Sequence, residues 1–194
     1  ELQLDGDVNA RLHLDIPLNG ELVTAKGEVT LRNNSLFIKP LDSTLKNLSG
    51  KFSFINGDLQ SEPLTASWFN QPLNVDFSTK EGAKAYQVAV NLNGNWQPAK
   101  TGVLPAAVNE ALSGSVAWDG KVGIDLPYHA GATYNVELNG DLKNVSSHLP
   151  SPLAKPAGEP LPVNVKVDGN LNSFDLTGQA GADNHFNSRW VLGQ

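Results

Sequence analysis

Tyr86-Gln87-Val88-Ala89-Val90-Asn91-Leu92-Asn93-Gly94 sets an aromatic or aliphatic residue at every second position, with Gln, Ala or Asn between them. Side chains of an extended backbone point alternately to opposite faces. The stretch therefore reads as a strand with one dry face (Tyr86, Val88, Val90, Leu92) and one wet face. The same period of two recurs on both sides of it. Upstream it runs through Val8, Ala10, Leu12, Leu14 and Ile16, then Phe52 and Phe54, Leu64, Ala66 and Trp68, and Leu73, Val75 and Phe77. Downstream it runs through Val116 and Trp118, Val122, Ile124 and Leu126, Tyr134, Val136 and Leu138, and Val163, Val165 and Val167. Strands that are dry on one face only suit antiparallel sheets. A first strand of about 11 residues, roughly twice the usual length, favours a tall, curled sheet over a compact sandwich.

Asp5-Gly6, Asn19-Gly20, Asn56-Gly57, Asn93-Gly94, Asp119-Gly120, Asn139-Gly140 and Asp168-Gly169 punctuate these runs. Such pairs tolerate positive φ and favour the turns that join antiparallel strands. They read as hairpins of a meander, and any that falls inside a continuing strand reads as a bulge. An internal repeat is also visible. Tyr86 to Gly94, reaching Leu104-Pro105, resembles Tyr134 to Gly140, reaching Leu149-Pro150, and an apolar segment and a further strand follow each. The units fall at about 1–80, 81–130 and 131–194, as stacked parts of one elongated domain. A short helix is expected over Pro105–Leu112 with Pro105 at its first position. The Pro-rich stretch Pro150–Pro162 reads as an ordered connector.

Composition excludes several functions. The chain has 194 residues and a net charge of −6. It has no clustered Lys or Arg to meet phosphates, which argues against a nucleic-acid partner. It has no cysteine, hence no disulfide and no thiolate metal site; this suits an oxidising compartment without requiring one. No apolar run approaches the ~20 residues of a spanning helix. Without an initiator Met, and with Glu1 opening straight into the alternation, the chain reads as part of a longer protein whose membrane anchor lies elsewhere.

A search for chemistry yields little. His13, His129, His148 and His185 lack metal-ligand spacing, and His13 falls on the wet parity of its strand. Asp5, Asp119 and Asp168 are explained by the glycines that follow them. Ser113 and Ser115 flank Gly114 without a nucleophile elbow. Trp68, Trp96, Trp118 and Trp190 could stack on sugars, but Trp68 and Trp118 share the parity of their aliphatic neighbours and belong to the dry face. No cofactor, metal or catalytic residue is expected.

Two longer stretches resemble a known family. Leu45-Lys-Asn-Leu-Ser-Gly-Lys-Phe-Ser-Phe-Ile-Asn-Gly-Asp-Leu59, followed by Leu64-Thr-Ala-Ser-Trp-Phe-Asn-Gln-Pro-Leu-Asn-Val75, resembles the repeat of the AsmA-like proteins of Gram-negative bacteria. Gly140-Asp-Leu-Lys-Asn-Val-Ser-Ser-His-Leu-Pro-Ser-Pro-Leu-Ala-Lys-Pro-Ala-Gly-Glu-Pro-Leu161 and Phe186-Asn-Ser-Arg-Trp190 resemble the large members of that family more specifically. The resemblance implies an inner-membrane-anchored protein in the periplasm, built as a repeating β-groove. It also implies carriage of phospholipid acyl chains between inner and outer membranes, with docking through regions outside this chain and no catalytic step. The groove would be lined by the dry-face residues: Val8, Ala10, Leu12, Leu14, Ile16, Phe52, Phe54, Leu64, Trp68, Val75, Phe77, Val88, Val90, Leu92, Val116, Trp118, Val122, Ile124, Leu126, Val136, Leu138, Val163, Val165 and Val167. Alternation by itself leaves a second architecture open: a closed β-sandwich acting as a structural or carbohydrate-binding envelope module.

Overall fold

The computed structural model describes residues 2–192. Its strands are β1 (Leu2–Asp5), β2 (Val8–Asp15), β3 (Thr24–Ile38), β4 (Ser43–Ile55) and β5 (Asp58–Ser61). They continue as β6 (Leu64–Trp68), β7 (Gln71–Glu81), β8 (Ala85–Trp96), β9 (Leu112–Gly114) and β10 (Val116–Pro127). The last are β11 (Thr133–Asp141), β12 (Val145–Ser147), β13 (Pro162–Asn170), β14 (Ser173–Ala180) and β15 (Asn184–Val191). One α-helix, α1 (Ala106–Ala111), occupies the expected place. Pro105 stands just before it as the N-cap, its carbonyl accepting from the N–H groups of Val108 and Asn109.

Thirteen of the strands form one antiparallel meander, and β9 and β12 pair separately. The order along the large sheet has eleven rows, because two rows are each made of two strands. β1 and β2 both pair with β3, and β5 and β6 both lie between β4 and β7. Ten spacings of ~4.8 Å give the sheet about 48 Å of length. The outer rows are β1/β2 and β15. The long strands lie inside: β3 has 15 residues and β4 has 13.

The expected first strand is β2, 8 residues rather than about 11, and Asp5-Gly6 just before it is a break between β1 and β2 rather than a hairpin. Gly6 takes φ +107°, and Asn34 fills the gap from the neighbouring strand. Asn34 is fully buried. Its amide donates to the carbonyls of Asp5 at 3.2 Å and Asp7 at 3.1 Å, and its oxygen accepts from the Arg32 N–H at 2.8 Å. The β3–β4 register shifts on both sides of Asn34, so a bulge turns this polar side chain inward to hold the edge row. Asn34→Leu is expected to lower stability by about 1–3 kcal/mol, since it leaves three partly buried backbone groups without their partner; urea melts of the two proteins measure it.

Four other pairs are likewise not turns. Asn93-Gly94, Asp119-Gly120, Asn139-Gly140 and Asp168-Gly169 lie within β8, β10, β11 and β13, and none of these glycines has positive φ. Asn19-Gly20 and Asn56-Gly57 do fall in connections, and Asn56 takes φ +52°.

The second architecture fails on surface area and on layering. A compact monomer of 20.7 kDa exposes about 8,900 Å²; this chain exposes 12976 Å². No second large sheet covers the first among the described residues. The fold is a single curled sheet. Phe52 on β4 and Phe77 on β7 are two rows apart, ~9.6 Å in a flat sheet, yet their ring centroids stand 5.5 Å apart. Trp68 and Trp96, also two rows apart, approach to 6.2 Å. The apolar face is therefore the concave one.

Two excursions leave the same margin of the sheet, residues 97–115 between β8 and β10 and residues 142–161 between β11 and β13. They are tied together by the β9–β12 pairing. The Pro-rich connector is held by Lys155, whose backbone bridges Ser147 and whose Nζ donates to the carbonyls of Val145 and Pro156, each at 3.0 Å.

Candidate functional site

Register decides which side chains share the concave face, because residues directly opposite in paired strands point the same way. One row across the sheet is Ala10, Val29, Phe52, Ser61. From Phe77 it continues through Val90, Val122, Val136, Val167 and Leu176. The next row toward the Trp margin is Leu64, Val75, Leu92, Gly120, Leu138, Val165, Gly178 and Phe186. On the other side lie Thr79, Val88, Ile124, Tyr134, Gly169, Phe174 and Trp190. Every residue expected to line the groove falls on this face except Ile16, which lies beyond β2 in the connection to β3.

The face is not uniform in depth. Leu31, Leu45, Leu48, Leu64, Ala66, Leu73 and Val75 form a buried cluster on β3, β4, β6 and β7. Leu64 is only 1% exposed and Leu73 only 2%, so Leu64 and Val75 are packed under the protein's own side chains. From β8 onward no aliphatic residue of the face is buried: Leu138 is 36% and Phe186 45% exposed. At the other end, Leu12 on β2 is 63% exposed.

Glycines in the strands explain how aromatic rings fit this surface. A Cβ on Gly178 would meet the Phe186 ring, one on Gly169 would lie 2.7 Å from Tyr134, and one on Gly94 would lie 3.1 Å from the Trp118 indole nitrogen. A ring from one strand thus lies over a glycine of its neighbour.

Both margins carry amphipathic aromatics. On one, Trp68, Phe69, Trp96 and Trp118 contact in series. Trp68 donates to the Ser43 hydroxyl at 2.7 Å and Trp96 to the Pro72 carbonyl at 2.7 Å. Phe69 holds φ +50° in the β6–β7 turn, a costly conformation for a bulky residue, with its ring stacked on Trp68 at 4.9 Å. The opposite margin holds Tyr86, whose single hydroxyl proton is shared between the Gly57 carbonyl at 2.8 Å and Thr79 Oγ1 at 2.6 Å. Tyr128 donates to the Gly82 carbonyl at 3.0 Å. Its phenol is held above the ordinary 10.0, first by desolvation and then by the Glu81 and Asp58 carboxylates, with Tyr86 adding to them.

The convex face is a polar ladder. Asn74 donates to Asn93 at 3.0 Å, Asn91 to Asp76 at 2.8 Å, Gln87 to Asp125 at 3.0 Å and Asn164 to Asn139 at 2.6 Å. His13 and His185 sit on this face opposite Lys26 and Gln179. Among the described residues, no three His, Asp or Glu side chains gather closely enough to hold a metal ion, and no helix is long and apolar enough to cross a membrane.

Sequence reasoning missed Leu31, Leu45 and Leu48 of the buried cluster and the last two strands of the lining. Phe174 and Leu176 alternate legibly and could have been added by parity. Leu31, Leu36, Leu45 and Leu48 could not, because the bulge at Asn34 breaks the period of two.

Comparison with known proteins bears on the same residues. The chain is 97% identical over its full 194 residues to the protein named "Intermembrane phospholipid transporter YhdP" of Escherichia coli (strain K12), and it spans 15% of that relative's length. No solved structure matches it. A family model described as YhdP protein matches residues 1–194 without a gap at either end, and the chain belongs to the YhdP family.

Proposed function

We propose that this chain is one groove segment of an inner-membrane-anchored periplasmic bridge. In this reading its concave face carries phospholipid acyl chains between the inner and outer membranes, with no reaction catalysed. The observation that carries the reading is the continuous, one-sided apolar face, open to solvent from β8 to β15. The relative's printed name supports the cargo.

The energetics favour such a surface. Exposing acyl chain to water costs about 0.8 kcal/mol per methylene, or roughly 12 kcal/mol for a chain of ~16 carbons. A floor of Val, Leu and Ile replaces one dry environment with another, so movement along it is nearly level. From β10 to β13 the three central floor rows hold only Val, Ile, Leu, Gly and Tyr, with no charged side chain to hold a lipid in one place. The indoles and phenols at the margins suit the boundary between dry tails and wet headgroups, as they do at bilayer interfaces.

A carbohydrate platform is disfavoured by the same indoles. Trp68, Trp96 and Trp118 face one another edge-on at interplanar angles of 76° and 74°, which leaves no flat row of rings for sugars. Native mass spectrometry or lipid extraction of the purified protein tests the reading. Phospholipid is expected to co-purify; a folded protein that emerges from membranes lipid-free would refute it.

A further inference from the structure

We infer that acyl chains cross β7 on a single lane, at Phe77 in the row of Val29, Phe52, Phe77 and Val90, and that the rest of the β7 floor is closed to them. This inference rests on the carriage reading above and adds the path.

The lane is bounded on both sides at β7. Toward the Trp margin, Leu73 and Val75 are buried, as are Leu48 and Leu64 on the facing strands. A side chain with 1–2% of its surface accessible, as at Leu64 and Leu73, has no space beside it even for water, and a methylene needs at least as much in an interior packed this densely. Toward the opposite margin the next residues are Thr79 and Glu81. Thr79 Oγ1 accepts from the Tyr86 hydroxyl at 2.6 Å and from the Leu59 N–H at 2.9 Å, so that flank is a bonded polar network. Phe77 is the apolar position between them.

The lane's one polar member is masked. Ser61 lies between Phe52 and Phe77 but is only 8% exposed. Its hydroxyl accepts from the Phe77 N–H at 2.8 Å, and the rings of Phe52 and Phe77 meet with centroids 5.5 Å apart. The row thus stays apolar across the narrow stretch. It widens at β10, where Trp118, Gly120, Val122, Ile124 and Leu126 are all apolar positions of the same face.

A phospholipid carrying a diazirine in its acyl chain tests the path on the full-length protein in membranes, with adducts mapped by mass spectrometry. Adducts are expected on Phe52, Phe77 and Val90 and along β10–β15, and none on Leu64 or Leu73. Adducts on Leu64 or Leu73 would overturn the single lane while leaving lipid carriage intact. The same holds for adducts on β10–β15 with none at Phe52, Phe77 and Val90. Absence of adducts from the whole segment would overturn the carriage reading and the lane with it.

Discussion

Leu73→Asp is expected to abolish folding, whereas Val136→Asp is expected to leave a folded protein that no longer holds lipid. Both residues lie on the concave face, and burial separates them. Leu73 is 2% exposed within the buried cluster. Removing a buried leucine side chain costs about 2–5 kcal/mol, and an unpaired carboxylate in its place adds several more. Together these reach the whole stability of a typical domain, about 5–15 kcal/mol. Val136 sits half-exposed between Val122 and Val167. Its replacement carboxylate reaches water in the empty trough, so the fold loses roughly 1 kcal/mol of partial burial and strand preference. An acyl chain passing over it would strip that water, at a cost of several kcal/mol. Thr177→Asp, on the convex face opposite Lys166, is the charge control and should change neither property. Thermal melts and lipid co-purification on the three variants decide the matter. Unfolding of Val136→Asp to the same extent as Leu73→Asp would mean a closed core at β11. A folded Val136→Asp with normal lipid content would place the path elsewhere.

The fold class and the composition of the concave face were legible because both depend on the period of two alone. Val88, Val90 and Leu92 fall opposite Ile124, Val122 and Gly120, and the register carries their parity through four further rows, to β15. Depth was not legible. Nothing in the alternation of Leu64 and Val75 distinguishes them from Val163 and Val165, yet the first pair is sealed and the second is not. The difference is made by Leu31, Leu45 and Leu48, which arrive from β3 and β4 across a bulge. Glycine was the other obstacle. An Asn-Gly pair is a strong turn signal when the glycine needs positive φ, but Gly94, Gly120, Gly140 and Gly169 are used for their missing side chain. The two uses look the same in sequence.

Gly94→Val separates the two uses and is expected to destabilise the protein by about 2–4 kcal/mol. In a turn, the penalty would come from a backbone that L side chains avoid, and neighbouring indoles would feel nothing. Gly94 is instead an interior residue of β8 directly opposite Trp118. A Cβ there would stand 2.8 Å from the Trp96 indole nitrogen, 3.1 Å from that of Trp118 and 3.1 Å from the Pro72 carbonyl oxygen. Two rings and a neighbouring strand cannot all yield within the ordinary strand geometry of β8. The Trp96 indole must swing away and give up its 2.7 Å bond to that same carbonyl, a loss of about 1 kcal/mol. Overpacking adds roughly 1–3 kcal/mol. Gly57→Val is the contrast: its Cβ would meet the Glu81 side chain first, at 2.7 Å from Oε2, the far end of a flexible group that can move aside. The measurement is a urea melt followed by tryptophan fluorescence, since three of the four tryptophans lie in the affected cluster. A shifted native emission with a lowered midpoint is expected for Gly94→Val and an unchanged native emission for Gly57→Val. Equal effects from the two substitutions would return Gly94 to the role of a turn residue and remove the account of how the concave face accommodates its rings.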